Sequence, residues 1–411
     1  MAASRSDGNL NILYVGTLPP HPGGTATVGY QLLAGLARRG HHIRAIAPVT
    51  RETVAVADRF AAAHSEIHVN RFLVPYFETS PDLPTVDQYR RAEGEGIEAA
   101  WHRTLSETGA DGVPDVVIIG REIFARHIPD LARVAGIPTL LIVHGWITLT
   151  GIMKTFPAAE RAHYLEQFRK VDRIVAVANH LAERLRGLGL GDVRTIHNAV
   201  DRHKFFPRPK DPALLRQLGI GAEQPTVVHV SNLRTLKRPL DIVDSARQVV
   251  QQRPDTVYVV VGDGPYRKAM EEACANGLHA GHFRFVGWVE HDLVPDYINL
   301  GDAVIMPSES EALAMVYLET LACERVLIAS DIAAAREVID DGETGILFRK
   351  GDVADLTAKI LSVVGNRALR AEIGKKAGRL AMNYDLDRFV TAYERVIREL
   401  ETGQSAVDRS A

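Results

Sequence analysis

Short β-branched apolar runs alternate with longer segments of helical period along the whole chain. In the first half the strand-like runs are Asn11–Gly16, His42–Pro48, Ile67–Val74, Asp115–Gly120, Pro138–Gly145, Arg173–Ala178 and Val193–Ile196. Between the first two, Val28–Arg39 sets Leu32, Leu33, Leu36 and Ala37 on one face at i, i+3/i+4 spacing, which predicts an amphipathic helix. Several runs are apolar without alternation, as central strands covered on both faces are. The pattern predicts an α/β fold with a parallel, doubly wound sheet.

A proline-rich break at Pro207–Pro209 and Pro212 interrupts the pattern, which then restarts. The new runs are Thr226–Ser231, Thr256–Gly262, His282–Gly287, Ala303–Pro307, Val326–Ser330 and Gly345–Phe348, with helical segments such as Leu240–Gln252 and Leu313–Cys323 between them. We therefore divide the chain into two doubly wound domains, 1–204 and 205–385, of about 200 and 180 residues, an ordinary domain size. A last segment, 386–411, holds the helical stretch Leu386–Leu400 and a small, polar end, Thr402–Ala411, that is expected to fray. Ligands of open α/β sheets bind beyond the carboxyl ends of the strands, so two such domains facing each other would build one cleft from those loops.

Composition narrows the function. Among 411 residues, 48 basic and 51 acidic side chains leave a net charge of −3, which excludes a nucleic-acid binder held by bulk positive charge. No apolar run approaches the ~18–20 residues of a membrane span. The opening MAASRSDGN lacks the apolar core of a signal peptide, so a cytoplasmic protein is expected. Arg38, Arg39, His41, His42 and Lys204 are modest basic groups, weaker than a polybasic docking patch, and membrane contact is disfavoured. The two cysteines, Cys274 and Cys323, lie in apolar helical patterns and read as buried thiols rather than a disulfide framework or metal site.

Candidate chemistry sits at the strand ends. The segment Pro307-Ser308-Glu309-Ser310-Glu311-Ala312-Leu313 leads from a strand into a helix expected to start near Leu313 and to run through Ala314, Met315, Val316 and Glu319. Free amides at that helix start favour an anion. Glu311 would lie at its mouth and Glu319 two turns deeper on the same side, about 10 Å away along the axis, suited to two hydroxyl-bearing ends of one ligand. The alternative makes Glu311 a partner of the helix dipole and Glu319 a solvated helix residue. His229-Val230-Ser231-Asn232-Leu233-Arg234-Thr235-Leu236-Lys237-Arg238 places Arg234, Lys237 and Arg238 beside donors from Ser231 and Asn232, a set able to neutralise a diphosphate, or simply an exposed basic loop.

Weaker signals accompany these. Gly23-Gly24 lets the backbone approach phosphate or sugar, with Thr25 or Thr27 able to cap the helix, and reads equally as a turn. His144-Gly145 ends a strand and is a cleft candidate. Val261-Gly262-Asp263-Gly264-Pro265 and Phe285-Val286-Gly287-Trp288 read as turns, the second able to present amides to a planar base. The only Asp-x-Asp, Asp385-Leu386-Asp387, opens the last helix, where a cap is expected rather than a metal.

Together these motifs resemble the retaining glycosyltransferases of the GT-B fold. The specific element is Glu311-x7-Glu319 followed by Ala322-Cys323, Ser330-Asp331 and Glu337-Val338-Ile339, joined by Asn198-Ala199-Val200-Asp201 and the glycine turns above. Ser231-Asn232-Leu233-Arg234-x2-Lys237-Arg238 and His144-Gly145 look most like the subgroup that joins N-acetylglucosamine to L-malate. The resemblance implies two Rossmann-like domains facing across a cleft, with the final helix crossing back to the first. It implies that Glu319 holds ribose hydroxyls, Glu311 the donor sugar, and Lys237 with Arg234 or Asn232 the departing diphosphate. Amides of Leu313–Val316 and of Gly23 and Gly24 would contact sugar and phosphate, Gly287 and Trp288 would border the base, and His144 would approach the sugar. The family's usual glycine at the turn after the second glutamate is here Glu324, and its usual phosphate-loop arginine is Asn232.

The expected activity is transfer of an N-acetylglucosamine- or glucose-type sugar, with retention, from a nucleotide-diphosphosugar, UDP-linked by preference, to a small-molecule hydroxyl acceptor. No cofactor and no metal are expected, and a homodimer is compatible with the reading. The acceptor candidates Tyr76, Tyr89, Arg121 and Lys154 fall in the loops Pro75–Tyr89, Arg121–His127 and Trp146–Pro157. Three alternatives stand beside it: a sugar-nucleotide epimerase or hydrolase of the same architecture, a lipid-acceptor glycosyltransferase, and a two-lobed sugar-binding protein.

Overall fold

The computed structural model describes residues 8–21, 23–74, 86–107, 112–145, 157–275 and 280–403, with the backbone alone for 86–92 and 280. The chain forms two compact units, one of residues up to Asn198 together with those from Asp387 onward, the other Ala199–Leu386.

The first unit is built on a seven-stranded sheet ordered β3-β2-β1-β4-β5-β6-β7. Its strands are β1 (Asn11–Val15), β2 (His42–Val49), β3 (Ile67–Leu73), β4 (Val116–Ile119), β5 (Thr139–Val143), β6 (Arg173–Ala176) and β7 (Val193–Thr195). All pairings are parallel, with Ile12 opposite Ile43 on one side and Val116 on the other. The centre of this sheet carries no alternation because both faces are covered, and β1, β4 and β5 are buried along their whole length. The helix Gly24–Arg38 closes one face by burying Leu32, Leu33 and Leu36.

The second unit repeats the plan with six parallel strands ordered β10-β9-β8-β11-β12-β13. They are β8 (Thr226–Val230), β9 (Val257–Val261), β10 (Phe283–Gly287), β11 (Ala303–Met306), β12 (Val326–Ser330) and β13 (Ile346–Phe348). Val227, Tyr258, Ile305 and Ile328 form its core with Ile242, Val249 and Ile360 from the covering helices. The apolar-run pattern therefore placed a strand at every position where the sheets have one.

The chain enters the second unit beside the point where it leaves. The Val200 amide donates to the Tyr384 carbonyl at 2.9 Å, and Val200 bridges Asp385 in parallel. The last helix, Leu386–Glu401, then packs within the first unit through Phe389, Val390, Tyr393, Val396 and Ile397. Three of the five basic residues weighed for membrane contact, Arg39, His41 and Lys204, are engaged in ion pairs. Arg39 pairs with Asp387 and, at 2.8 Å, with Glu394, while Glu394 also takes His41 at 3.2 Å. Lys204 pairs with Asp292 at 2.6 Å in the second unit. They are partners in internal ion pairs, and Asp387 of the Asp-x-Asp is one of those partners, because these charges find opposite charges over sequence separations that composition cannot reveal.

Both cysteines are free and buried, and burial pushes the thiols up, Cys274 to about 11 and Cys323 to about 12. Among the described residues no helix is long and apolar enough to cross a membrane.

Candidate active site

In each sheet the strand order reverses direction once, between β1 and β4 in the first unit and between β8 and β11 in the second. Loops leaving the carboxyl ends of two such neighbours run apart and leave a crevice where ligands bind. The two richest sequence motifs are the loops of one such pair, after β8 and after β11.

The β8 loop is held against the turn after β9. The Leu233 amide donates to the Asp263 carbonyl at 3.0 Å, and the Tyr266 amide returns to the Leu233 carbonyl at 3.0 Å. This approach requires glycine at 262, where φ is 116° and an added Cβ would fall 1.9 Å from the Ser231 carbonyl oxygen. Beneath the loop, His229 is buried, its Nδ1 2.8 Å from the Ile305 carbonyl oxygen and its Nε2 2.7 Å from Ser231 Oγ. Burial lowers its pKa to about 4, so a neutral ring fixes the Ser231 hydroxyl.

The β8 and β11 loops meet through a charge pair. Lys237 Nζ donates to Glu311 Oε1, and Ser308 Oγ donates to the same oxygen at 2.6 Å. The Glu309 amide donates to the Leu236 carbonyl at 2.7 Å, which fixes the two loops side by side. Arg238 faces elsewhere: its Nε donates to Asp241 at 2.7 Å and its Nη1 to Glu309 at 3.2 Å. The expected cluster of three cations thus reduces to Lys237 and Arg234. Asn232 is exposed, and Arg234 is half-buried on extended backbone.

The helix after β11 starts later than its apolar pattern predicts, at Met315, with Ala314 as N-cap and no side-chain cap. Glu311 therefore lies in the loop, four residues ahead of the helix, and the expected two-turn spacing of Glu311 and Glu319 along one helix face does not hold. Loop backbone over Ala312–Ala314 takes the place of a first turn, with Leu313 buried into the core. Val316 is buried and Met315 half-buried.

Glu319 sits in the middle of this helix, buried rather than solvated. His291, unmarked by any sequence motif, places Nε2 2.8 Å from Glu319 Oε1 and packs its ring, tilted by 48°, 5.2 Å from that of Phe205. Gly287 ends β10 with φ 84°, its carbonyl accepting from the Gly262 amide at 2.7 Å, and Trp288 beside it is 62% exposed, an uncovered flat ring at the end of the strand.

The first unit offers a second set at its own reversal. Gly23, at φ 106°, is the N-cap of the helix that begins at Gly24, and neither Thr25 nor Thr27 caps it; Thr25 Oγ1 instead lies 3.4 Å from Thr17 Oγ1. Gly120, after β4, abuts Tyr14 so closely that a Cβ would fall 2.1 Å from the ring. His144 follows β5 and hydrogen-bonds the Gly120 backbone. Burial, helped by the Arg121 charge, lowers its pKa to about 3 and keeps it neutral. The Gly145 amide donates to the buried Glu122 carboxylate at 3.0 Å. Residues 75–85 and 146–156, with Tyr76 and Lys154, lie outside the described residues, as does the Tyr89 side chain. No group of side chains suited to a metal ion occurs among the described residues.

Two doubly wound parallel sheets in tandem, each reversing its strand order once, make this a two-domain α/β protein of the GT-B fold. Residues 211–380 match the family model described as glycosyl transferases group 1, and residues 22–204 match glycosyltransferase family 4. The chain belongs to the group 1 family of GT-B glycosyltransferases. It is 25% identical over 92% of its length to N-acetyl-alpha-D-glucosaminyl L-malate synthase of Bacillus anthracis, covering 95% of that protein. It is 26% identical over 77% of its length to the 2-deoxystreptamine N-acetyl-D-glucosaminyltransferase of Streptomyces fradiae, covering 74% of it. Among solved structures, Anabaena HepE in complex with UDP-glucose aligns with TM-score 0.78 at 17% identity, over 95% of this chain and all of that one.

Proposed function

We propose that the protein is a retaining, metal-independent glycosyltransferase that moves N-acetylglucosamine or a glucose-type sugar from a UDP-linked donor to the hydroxyl of a small-molecule acceptor, and that it works in the cytoplasm. The observation that carries this reading is the junction of Lys237, Ser308 and Glu311 at the reversal point of the second sheet. A UDP complex of a structural neighbour and two N-acetylglucosaminyl-transferring relatives support the donor class.

In this reading negative charge grows on the leaving phosphate while the sugar gains oxocarbenium character. Lys237 and Arg234 meet that charge, a stabilisation that is commonly the largest single catalytic contribution. Lys237 is preformed for the task because Glu311 holds its ammonium at the loop junction. Glu311 keeps a second carboxylate oxygen for a donor-sugar hydroxyl, and Glu319 accepts from ribose hydroxyls. Asn232 and the backbone of Leu313–Val316 border the phosphates and sugar, with Gly287 and Trp288 at the base. His144 is neutral, and one ring nitrogen donates to the Gly120 carbonyl, which leaves the other as an acceptor for a sugar hydroxyl.

A panel of UDP- and GDP-sugars screened by thermal shift, followed by mass spectrometry of candidate hydroxyl acceptors and NMR of the product anomer, tests this. UDP-N-acetylglucosamine or UDP-glucose should stabilise the protein and give an α-linked product in the presence of EDTA. A β-linked product, or epimerised or rapidly hydrolysed sugar with donor alone, would overturn it.

A further inference from the structure

The second unit holds a groove that the proposed reaction does not use. It has a volume of about 850 Å³. Its floor is formed where strands begin: Pro225 precedes β8, Asp302 precedes β11, and Arg325 precedes β12. The donor loops leave the other ends of the same strands. Five residues of β8, at about 3.3 Å each, put the two sites about 16 Å apart along the sheet.

The groove's charges do not cancel. Asp302 is fully engaged, accepting from Lys210 at 3.0 Å and the Thr226 amide at 2.9 Å and lying 3.4 Å from Arg370. Arg253 is matched by Asp255 at 3.4 Å. Arg216, Arg367 and Lys375 also line the groove, and among the described residues none of them has an acidic partner. Arg325 gives Nη2 to the Arg208 carbonyl at 2.5 Å and to Asn299 Oδ1 at 3.0 Å, while its buried Nε–H has no hydrogen-bond partner among the described residues. Burial lowers the Arg325 pKa, against the opposing pull of Cys323, Asp302 and Glu324. Against these four cations stand two carboxylates, Glu223 and Glu324, that form no ion pair among the described residues. Leu215, Ile220 and Val364 supply an apolar wall.

We propose that this groove is a binding site for a small soluble phosphate ester, separate from the donor site. The cations line a concavity rather than a flat face, which suits a compact anion. Arginine pairs with phosphate through two parallel hydrogen bonds, and the apolar wall accommodates a ring or carbon skeleton.

Isothermal titration of the full chain with fructose 1,6-bisphosphate at physiological ionic strength, with and without excess UDP, tests this. Binding should persist when UDP is present, be absent for fructose, and be unchanged in Lys237→Ala. It should weaken at least tenfold in Arg216→Ala/Arg367→Ala, whose side chains are exposed and whose loss leaves the fold intact. Lys375→Gln gives a second, independent reduction should that double variant lose its cooperative melt. Absence of binding, competition by UDP, loss in Lys237→Ala, or equal affinity in the groove variants would each overturn the proposal.

Discussion

His291 Nε2 lies 2.8 Å from Glu319 Oε1, joining the segment after β10 to the middle of the helix after β11. Burial disfavours a charged ring, but the hydrogen bond and negative charge of Glu319 outweigh it, with Asp292 assisting and Lys204 opposing, and the His291 pKa is raised above 6.5. A group whose pKa is higher in the folded state stabilises fully below its unfolded value and loses that contribution as pH rises through the folded one. The melting temperature lost on His291→Gln should therefore be largest near about pH 6 and shrink towards pH 9. A pH-independent difference would show that the ring is not charged against Glu319.

The proposed roles of Lys237 and Glu319 separate in kinetics. Lys237 faces charge that exists chiefly in the transition state, whereas Glu319 would bind the nucleoside equally before and during reaction. Lys237→Ala should lower kcat by about 10²–10³ with little change in donor KM. Glu319→Ala should raise donor KM by about tenfold with kcat nearly kept, the signature of lost uniform binding. Steady-state rates over a donor series read both, and equal small effects would sink the assignment.

These contrasts mark where sequence reading reaches and stops. Strands such as Val257–Val261 were legible because a fully covered strand must be apolar at every position. The junction of Lys237 with Glu311 was not, since it depends on β8 lying next to β11, a pairing set by the whole sheet. The helix start at Met315 slipped two residues because Leu313 fills a core position from loop backbone and so mimics helical periodicity. His291 carried no signal at all: no spacing connects a lone histidine after Trp288 to Glu319. Arg39 and His41 were visible as charges, but their partner Glu394 lies more than three hundred residues away in sequence. Local pattern identifies elements, while long-range pairing decides what each charge does.

Glu324 occupies a turn where glycine is the usual residue, and the structure places it at φ 53°. Two glycines of the helix Arg367–Ala381 make room for it. A Cβ at Gly378 would fall 2.6 Å from Glu324 Cγ, and one at Gly374 would fall 2.3 Å from the Glu324 carbonyl oxygen. Left-handed backbone costs a side-chain-bearing residue about 1 kcal/mol, so Glu324→Gly should stabilise by up to about that amount. Gly378→Ala should cost about 1–3 kcal/mol through overpacking and recover most of it when combined with Glu324→Gly. Gly374→Ala should remain destabilised in both backgrounds, because its obstacle is backbone. Urea denaturation of the three single and two double variants completes the cycles, and an additive Gly378 result would refute the packing argument.

Glu394 binds the last helix to the first unit. It accepts from Arg39 at 2.8 Å, from Arg398 at 2.8 Å and from His41 at 3.2 Å. The Leu10 amide donates to His41 Nδ1 at 3.1 Å, so the proton shared with Glu394 is on Nε2 even when the ring is neutral, and burial favours that neutral ring. Burial alone would raise the Glu394 pKa, but the hydrogen bonds of Arg39, Arg398 and His41 override it and hold the carboxyl at about 2. A depressed acid pKa contributes stability that is complete above the unfolded value and disappears as pH falls through the folded one. With solvent screening the contribution is about 2 kcal/mol. Glu394→Gln should therefore be less stable than the parent by about that amount at neutral pH. The gap should hold down to about pH 5 and close towards pH 2 in chemical denaturation. A variant as stable as the parent at neutral pH would mean that the three donors hold a neutral amide as well as they hold the carboxylate, and would refute the charge argument.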